Sequence, residues 1–181
     1  MALNKEDAQI IQAICSGTEE GFRRLMRKYQ QPVYWHIRRL VVTHDDAQDA
    51  TQETFIRVFR SFSQFQETVS FKAWIFRIAT NEALRLISQR KQEEVSLSDD
   101  NAEANSLTAD GYIDYHDLEA ITLQKAILSL PTKQQLAFNL RYYNDMSYKE
   151  IAEAMGSNTF SVKVNYHLAK EKIIKFIKNN K

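Results

Sequence analysis

Residues 70–91 read SFKAWIFRIATNEALRLISQRK, and this stretch decides the helical character of the chain. Ser70 has the chemistry of a helix N-cap, and neither Pro nor Gly interrupts the 21 residues that follow it. Apolar side chains recur there at i, i+3, i+4 and i+7 spacing, so the pattern predicts one face buried against other helices. The members of that face are Phe71, Trp74, Ile75, Ile78, Ala79 and Leu86.

A second, polar stripe follows the same predicted helix. Arg77, Asn81, Arg85 and Ser88 lie at i, i+4, i+8 and i+11, which places two guanidinium groups, an amide and a hydroxyl along one ridge. Guanidinium and amide groups suit phosphates and base edges. On this helix alone an ordinary solvated face is an equal alternative, so the interpretation depends on the rest of the chain.

Composition predicts an all-α chain with one or two small domains. The sequence has 181 residues, 44% of them apolar, with only 4 Gly and 2 Pro, and helical periodicity runs nearly throughout. The single Cys15 excludes an internal disulfide, and no apolar run approaches the roughly 20 residues of a membrane span. Its first residues lack a signal-peptide pattern, so we expect a cytoplasmic protein.

Charge is segregated along the chain. Residues 1–92 carry 14 basic and 10 acidic side chains, residues 93–130 carry 1 and 9, and residues 131–181 carry 9 and 4. Two basic blocks around an acidic one are expected if both ends of the chain meet a polyanion. Chance segregation in a helical protein is the alternative.

A second informative helix is predicted over residues 45–62, DDAQDATQETFIRVFRSF, with its N-cap near Thr43. Its buried stripe comprises Ala47, Ala50, Thr54, Phe55, Val58 and Phe62. Its opposite face carries Gln48, Asp49, Gln52, Glu53, Ile56, Arg57 and Arg60. An apolar Ile56 among charges indicates a protein partner, although single exposed apolar residues are common. In the loop that follows, Phe62 and Phe65 either plug the core or stack on unpaired bases.

The segments before and after these helices are less informative. Pro32 predicts a kink or a break near Gln31, and the basic residues of this region are expected mainly at a solvated surface: Arg23, Arg24, Arg27, Lys28, Arg38 and Arg39. Residues 92–117 are acidic and weakly periodic, which predicts a flexible tether. Helix is predicted to resume at residues 118–129 and again after Pro131.

The last informative stretch, residues 147–178, has a helix-turn-helix pattern. Ser147 and Glu150 form a capping-box pair, Gly156 permits a tight turn, and Ala152 and Val162 are placed to pack the two helices together. The second helix is then positioned to enter a major groove. The residues predicted to meet DNA are Thr159, Ser161, Lys163, Val164, Asn165 and His167. A packing corner without DNA is the alternative.

Taken in order, these motifs resemble the extracytoplasmic-function sigma factors, the small two-domain members of the sigma-seventy family. The D-A-x-D-x-x-Q-E-x-F motif of that family is matched by Asp46, Ala47, Asp49, Gln52, Glu53 and Phe55. Its F-x-x-W-x-x-x-I-A-x-N motif is matched by Phe71, Trp74, Ile78, Ala79 and Asn81. Its later L-P, E-I-A and V-K motifs are matched by Leu130, Pro131, Glu150, Ile151, Ala152, Val162 and Lys163.

The resemblance implies two domains joined by a linker. Residues 1–92 would form a region-two-like domain, residues 93–117 a flexible acidic linker, and residues 118–181 a region-four-like helix-turn-helix domain. Core polymerase would be bound by Gln48, Asp49, Gln52, Glu53, Ile56 and Arg57. The opened minus-ten strand would be bound by Phe62, Phe65, Arg77, Asn81, Arg85 and Ser88, and the minus-thirty-five duplex by the six residues named above for the last helix.

The implied partners are bacterial RNA polymerase core, promoter DNA and an anti-sigma factor, with no membrane insertion. No enzyme activity, metal or cofactor is expected, because the four His show no ligand spacing and no nucleophile or carboxylate pair has a catalytic pattern. The sequence departs from the family pattern at Arg85, Leu86, Ser88, Gln135, Phe160, Asn165 and Leu168. A helix-turn-helix repressor and a polymerase-binding regulator without promoter activity are the alternative functions.

Overall fold

The computed structural model of the protein describes residues 4–41, 43–96 and 118–179, and among these the side chains of all but 91–96 and 118. Within those ranges the chain forms α-helices, one short 3-10 turn and no strand, so the all-α class predicted from periodicity is confirmed. The tether predicted over residues 92–117 lies outside the described residues, apart from 92–96, whose backbone is helical.

The helices occupy nearly all of the described chain. They are α1 (Lys5–Cys15), α2 (Glu19–Val41), α3 (His44–Ser61), α4 (Phe71–Ser96), α5 (Leu118–Leu128), α6 (Thr132–Tyr142), α7 (Tyr148–Met155) and α8 (Thr159–Asn179), with the 3-10 turn at Phe62–Gln64. Helices α1–α4 form the N-terminal half and α5–α8 form the C-terminal half.

Helix α1 is fixed to α2 by a buried carboxylate. Asn4 caps α1 by accepting a hydrogen bond from the Glu6 backbone N–H, and Asp7 is then buried against α2. The Lys28 ammonium and the Tyr29 hydroxyl each donate to Asp7 Oδ1 at 2.8 Å. Burial, and next the Asp7 charge, raise the pKa of Tyr29, so its phenol stays protonated and donates.

Helix α2 runs unbroken through Pro32, so of the kink or break predicted near Gln31 the break does not form. Pro32 itself is exposed, while Tyr29, Val33 and Ile37 are buried around it. This packing outweighs the cost of a proline inside a helix, about 3 kcal/mol for the lost hydrogen bond and the steric clash together. Nor is the basic surface uniformly solvated, because Arg38 is buried.

A histidine occupies the centre of the N-terminal half. His36 is fully buried, and its Nε2 lies 2.9 Å from the Thr80 hydroxyl of α4. Its Nδ1 has no hydrogen-bond partner among the described residues. Burial, helped by the charge of Arg39, lowers the pKa of His36 to about 3, so the imidazole is neutral in the fold.

We expect this histidine to make the fold sensitive to mild acid. The unfolded chain binds a proton on this imidazole near pH 6.5, and the folded chain does not. The stabilisation of the fold by neutral His36 is therefore fully present above pH 6.5 and falls as the pH drops towards 3. The free energy of unfolding should fall by about 1.4 kcal/mol per pH unit in that window. Urea titrations at pH 7 and pH 5 measure this, and His36→Gln, which keeps a polar partner for Thr80, should flatten the slope. An equal slope in the variant would contradict the assignment.

The C-terminal half contains the predicted helix-turn-helix. Ser147 and Glu150 form the reciprocal capping box at the start of α7, and Gly156 ends that helix with φ of 59°, a conformation that glycine adopts without strain. Val162 of α8 is fully buried and Ala152 of α7 is nearly so, as the pattern required. A small apolar cluster holds α5, α6 and α8 together: Ala126, Ile127, Leu130, Phe138, Ala169 and Ile173.

The two halves pack against each other, which no sequence motif indicated. One apolar core is continuous from α1–α4 into Leu136, Ile151 and Val162 of the C-terminal half. Polar contacts surround it: the Ser70 backbone N–H donates to Glu153 at 3.0 Å, and the Ser70 hydroxyl donates to Glu150 at 3.0 Å. The start of α4 is therefore held by α7.

Candidate nucleic-acid and protein interfaces

The outer face of α3 has the composition that the sequence predicted. Its inner stripe is buried at Ala47, Ala50, Thr54, Phe55 and Val58. The opposite face is open to solvent, with Gln48, Asp49, Gln52, Ile56 and Arg57 exposed and Glu53 half-buried. Ile56 is 43% exposed and lies among charged and amide groups.

The structure adds two features to this face. Phe59, one turn after Ile56, is 60% exposed and extends the apolar strip, with its ring centroid 4.4 Å from that of Phe22. A groove of about 480 Å³ runs between α2 and α3 beside Gln48 and Gln52. Arg27 and Gln30 of α2 form its other wall. Helical spacing would have placed Phe59 on the outer face, but the groove depends on the pairing of two helices.

Ion pairs connect the outer face of α3 to α4. Arg57 Nε lies 3.0 Å from Glu53 and 2.7 Å from Glu82, whose side chain is almost fully buried. Glu82 also accepts from Arg85 Nε at 3.0 Å. Arg57 and Arg85, which the sequence assigned to different partners, thus share one buried carboxylate. Sequence reasoning missed Glu82 because only the crossing of two helices shows what it contacts.

The loop aromatics Phe62 and Phe65 are half-buried and contact the start of α4. Phe65 lies 5.2 Å from the Trp74 ring and 5.1 Å from the Phe71 ring, measured between centroids, while Phe62 lies between Phe22 and Trp74. Both rings therefore help to close the core. Each also keeps part of its surface open, so stacking on unpaired bases stays a prediction.

The polar ridge of α4 is exposed along its whole length. Arg77, Asn81, Arg85 and Ser88 all face solvent, and the apolar side of the helix is turned inward. Arg85 is oriented by Glu82 and by a 3.1 Å hydrogen bond to Gln89. Arg77 extends towards the turn of the helix-turn-helix, where its guanidinium is close to Gly156. One end of this ridge thus borders the C-terminal half.

The predicted contact residues of α8 differ in accessibility. Thr159, Lys163, Val164 and His167 are exposed, whereas Ser161 and Asn165 are half-buried. The Asn165 amide donates to the Ser161 carbonyl at 2.8 Å, one helical turn earlier. Lys163 Nζ lies 5.7 Å from the centroid of the Tyr148 ring.

Other kinds of site are not evident in the described part of the chain. None of its helices combines the length and the apolar character that crossing a bilayer requires. Within the same residues no group of three or more His, Cys, Asp or Glu is placed to hold a metal ion.

Comparison with known proteins assigns both halves to recognised families. Residues 25–93 match the family described as Sigma-70 region 2, and residues 120–173 match the one described as Sigma-70, region 4. The chain is 28% identical to the RNA polymerase sigma-H factor of Pseudomonas aeruginosa, over 97% of this chain and 95% of that protein. It is 26% identical to the ECF RNA polymerase sigma factor SigW of Bacillus subtilis, over 93% and 95%.

A solved structure has the same fold. The chain superposes on CnrH, in a complex with the cytosolic domain of CnrY, with a TM-score of 0.76 and 19% identity, over 98% of this chain and 100% of that one. At that identity the likeness describes the fold alone.

Proposed function

We propose that the surfaces described above carry out the function of a sigma factor. The chain belongs to the sigma-70 family, in its extracytoplasmic-function branch. It is a sigma factor that directs RNA polymerase to promoters and initiates transcription. The observation that carries this function is the order of the two family matches, each of which falls on one helical half. RNA synthesis is catalysed by the polymerase, so we propose that the chain is not itself an enzyme. We also propose that it acts in the cytoplasm.

Run-off transcription with core polymerase on a promoter library tests this function. Initiation from a defined sequence class is the expected result. Tight binding to duplex DNA without polymerase, together with dimerisation, would favour a repressor instead. Core binding without initiation would favour a polymerase-binding regulator.

The α3 outer face is the proposed site for core polymerase. It combines exposed amides and carboxylates at Gln48, Asp49, Gln52 and Glu53 with the apolar strip at Ile56 and Phe59. Apolar residues at the centre of a polar rim are typical of protein interfaces. Arg57 supports the face from its edge through Glu53 and Glu82.

The half-buried loop aromatics and the α4 ridge are the proposed site for the opened minus-ten strand. Phe62 and Phe65 present the exposed parts of their rings beside the start of α4, where an unpaired base could stack. Arg77, Asn81, Arg85 and Ser88 continue from there as a line of donors suited to phosphates and base edges. The cost of unstacking a base, a few kcal/mol, would be offset by these contacts.

The helix-turn-helix is the proposed site for the minus-thirty-five duplex, and its use requires the two halves to separate. The minus-ten and minus-thirty-five positions are about 25 base pairs apart, which at about 3.4 Å per base pair is about 85 Å along B-DNA. Helix α4 and helix α7 are in direct contact in the structure, through Ser70, Glu150 and Glu153. We therefore propose that the contact opens before both elements are bound. An anti-sigma factor that covers both halves would keep the chain from polymerase.

Replacing Lys163 and replacing Asn165 should have different effects on promoter recognition. Lys163→Ala removes about one phosphate contact, so binding to all upstream sequences should weaken almost equally and the salt dependence should flatten. Asn165→Ala should relax the preference at one base pair, with a loss of about 1–3 kcal/mol against the best sequence. Promoter-library transcription across a salt series measures both. Unchanged preferences and salt slopes in both variants would show that α8 does not enter the groove as proposed.

A further inference from the structure

The outermost ridge of α8 is apolar. Phe160, Val164 and Leu168 lie at i, i+4 and i+8, and their side chains are 77%, 41% and 37% exposed. The opposite side of the helix is the one buried in the fold, at Val162, Ala169 and Ile173. At 100° per residue, Phe160 and Val164 each lie about 20° from the direction opposite the buried side, and Leu168 lies about 60° from it. The ridge is thus the part of the helix-turn-helix that reaches farthest into a groove.

The polar groups of α8 are poorly placed to read bases by hydrogen bonding. Helix α8, which is described in full, contains no arginine, the side chain that most often reads guanine. The Asn165 amide is bonded to its own helix at the Ser161 carbonyl. His167 Nε2 lies 3.3 Å from Glu171, and Lys163 is beside the Tyr148 ring. Asn165 can therefore serve one base pair at most, with the part of its amide that is not bonded to Ser161. A preference at the other upstream positions has to come from the apolar ridge.

The charge around the ridge selects the kind of partner. Five lysines on α8 are exposed and only one acidic residue, Glu171, is among them: Lys163, Lys170, Lys172, Lys175 and Lys178. The ridge is also convex, being one side of a single helix, so it fits into a groove. The partner should therefore carry negative charge, have a groove that admits a helix, and present apolar groups inside that groove. Duplex DNA meets these three conditions, because its major groove is about 12 Å wide and displays the methyl groups of thymine.

We propose that Phe160, Val164 and Leu168 determine the upstream specificity of this chain by contacting the C5-methyl groups of thymines. Phe160 lies in the first turn of α8, and the N-terminal residues of a recognition helix are those that reach base edges. This proposal rests on the proposed function, because it names the chemical group that the minus-thirty-five site recognises.

Deoxyuridine tests the proposal, because it removes the thymine methyl group and leaves the hydrogen-bonding groups unchanged. Holoenzyme made from the full chain and core polymerase is used to select promoters from a duplex pool randomised over the upstream element. The best promoter is then remade with deoxyuridine at each upstream thymine in turn. We expect each contacted methyl group to account for a roughly four-fold difference in affinity, the value for burying one such carbon.

Matched variants show whether the ridge itself senses the methyl group. Phe160→Ala, Val164→Ala and Leu168→Ala change exposed side chains, so the variants should fold. In each variant, the promoter affinities with thymidine and with deoxyuridine should become equal at one position, so that their ratio falls to one. Ile174→Ala is the control: Ile174 is an exposed apolar residue of the same helix but lies off the ridge, and the ratio should persist in that variant.

The outcomes separate this proposal from the sigma-factor function. If holoenzyme selects no promoter, the sigma-factor function and the proposal fail together. If it selects a promoter without upstream thymine, or one that is insensitive to deoxyuridine, only the thymine-reading ridge is overturned. The same holds if the ratio persists in all three ridge variants. Unchanged promoter affinity in the three variants would likewise overturn the proposal, because the ridge would then not contact DNA.

Discussion

We expect a short covalent link between residues 70 and 153 to abolish promoter-dependent initiation. The Ser70 backbone N–H donates to Glu153 across the junction of the two halves, so the two positions are neighbours in the compact arrangement. Linking them would keep α4 against α7, and a chain held in that way cannot span promoter elements about 85 Å apart. Initiation should fall to the level seen without the chain.

The experiment uses Ser70→Cys and Glu153→Cys joined by a thiol-cleavable bismaleimide. Cys15 is exposed and is replaced by serine first, so that only the introduced pair reacts. The two single-cysteine variants control for the reagent. Cleavage of the linker by reductant should restore run-off transcription in the same sample, which separates closure from damage to the fold. Full activity with the link intact would show that the halves need not separate.

The second large effect is expected at the α3 outer face. Ile56→Asp should weaken binding of the chain to core polymerase at least about ten-fold, because an aspartate at the centre of an interface must be desolvated without a partner. The side chain is 43% exposed in the free chain, so the helix content and the melting temperature should change little. Titration of labelled chain with core polymerase measures the loss, and circular dichroism checks the fold.

Two matched variants define what that result means. Ile56→Leu keeps an apolar side chain and should retain binding. Ala8→Asp places the same charge at an exposed position of α1, away from the α3 face, and should also retain binding. Wild-type affinity for the folded Ile56→Asp variant would remove the docking assignment. Equal losses of affinity in Ile56→Asp and Ala8→Asp would show that added negative charge weakens binding wherever it is placed.

The surfaces proposed for polymerase and for DNA are joined by the Glu53–Arg57–Glu82–Arg85 ion pairs. Glu82 is buried between the two arginines, so neither guanidinium is a free surface charge. Removing either arginine leaves the buried Glu82 carboxylate with one partner instead of two, which destabilises the fold because its charge is then less well compensated. Substitutions at Arg57 or Arg85 therefore report on structure as well as on binding, whereas Ile56 and Asn81 are cleaner probes.

The sequence by itself determined the features that depend on local periodicity and local capping. The inner and outer faces of α3 and α4 follow from helical spacing, because a side chain three or four positions away lies on the same side of a helix. The α7 capping box and the turn at Gly156 follow from residue types within ten positions of one another. The Sigma-70 matches fall on the same segments.

The tertiary structure alone decided how those helices meet. The burial of Asp7 against Lys28 and Tyr29, the neutral His36 beside Thr80, and the sharing of Glu82 all join residues that are distant in the sequence or on different helices. Pro32 remains inside a helix because the packing around it outweighs its local preference. The contact of Ser70 with Glu150 and Glu153 spans 80 and 83 positions. Periodicity shows which face of a helix is buried, but it does not show what buries it, because that depends on the packing of all the helices together.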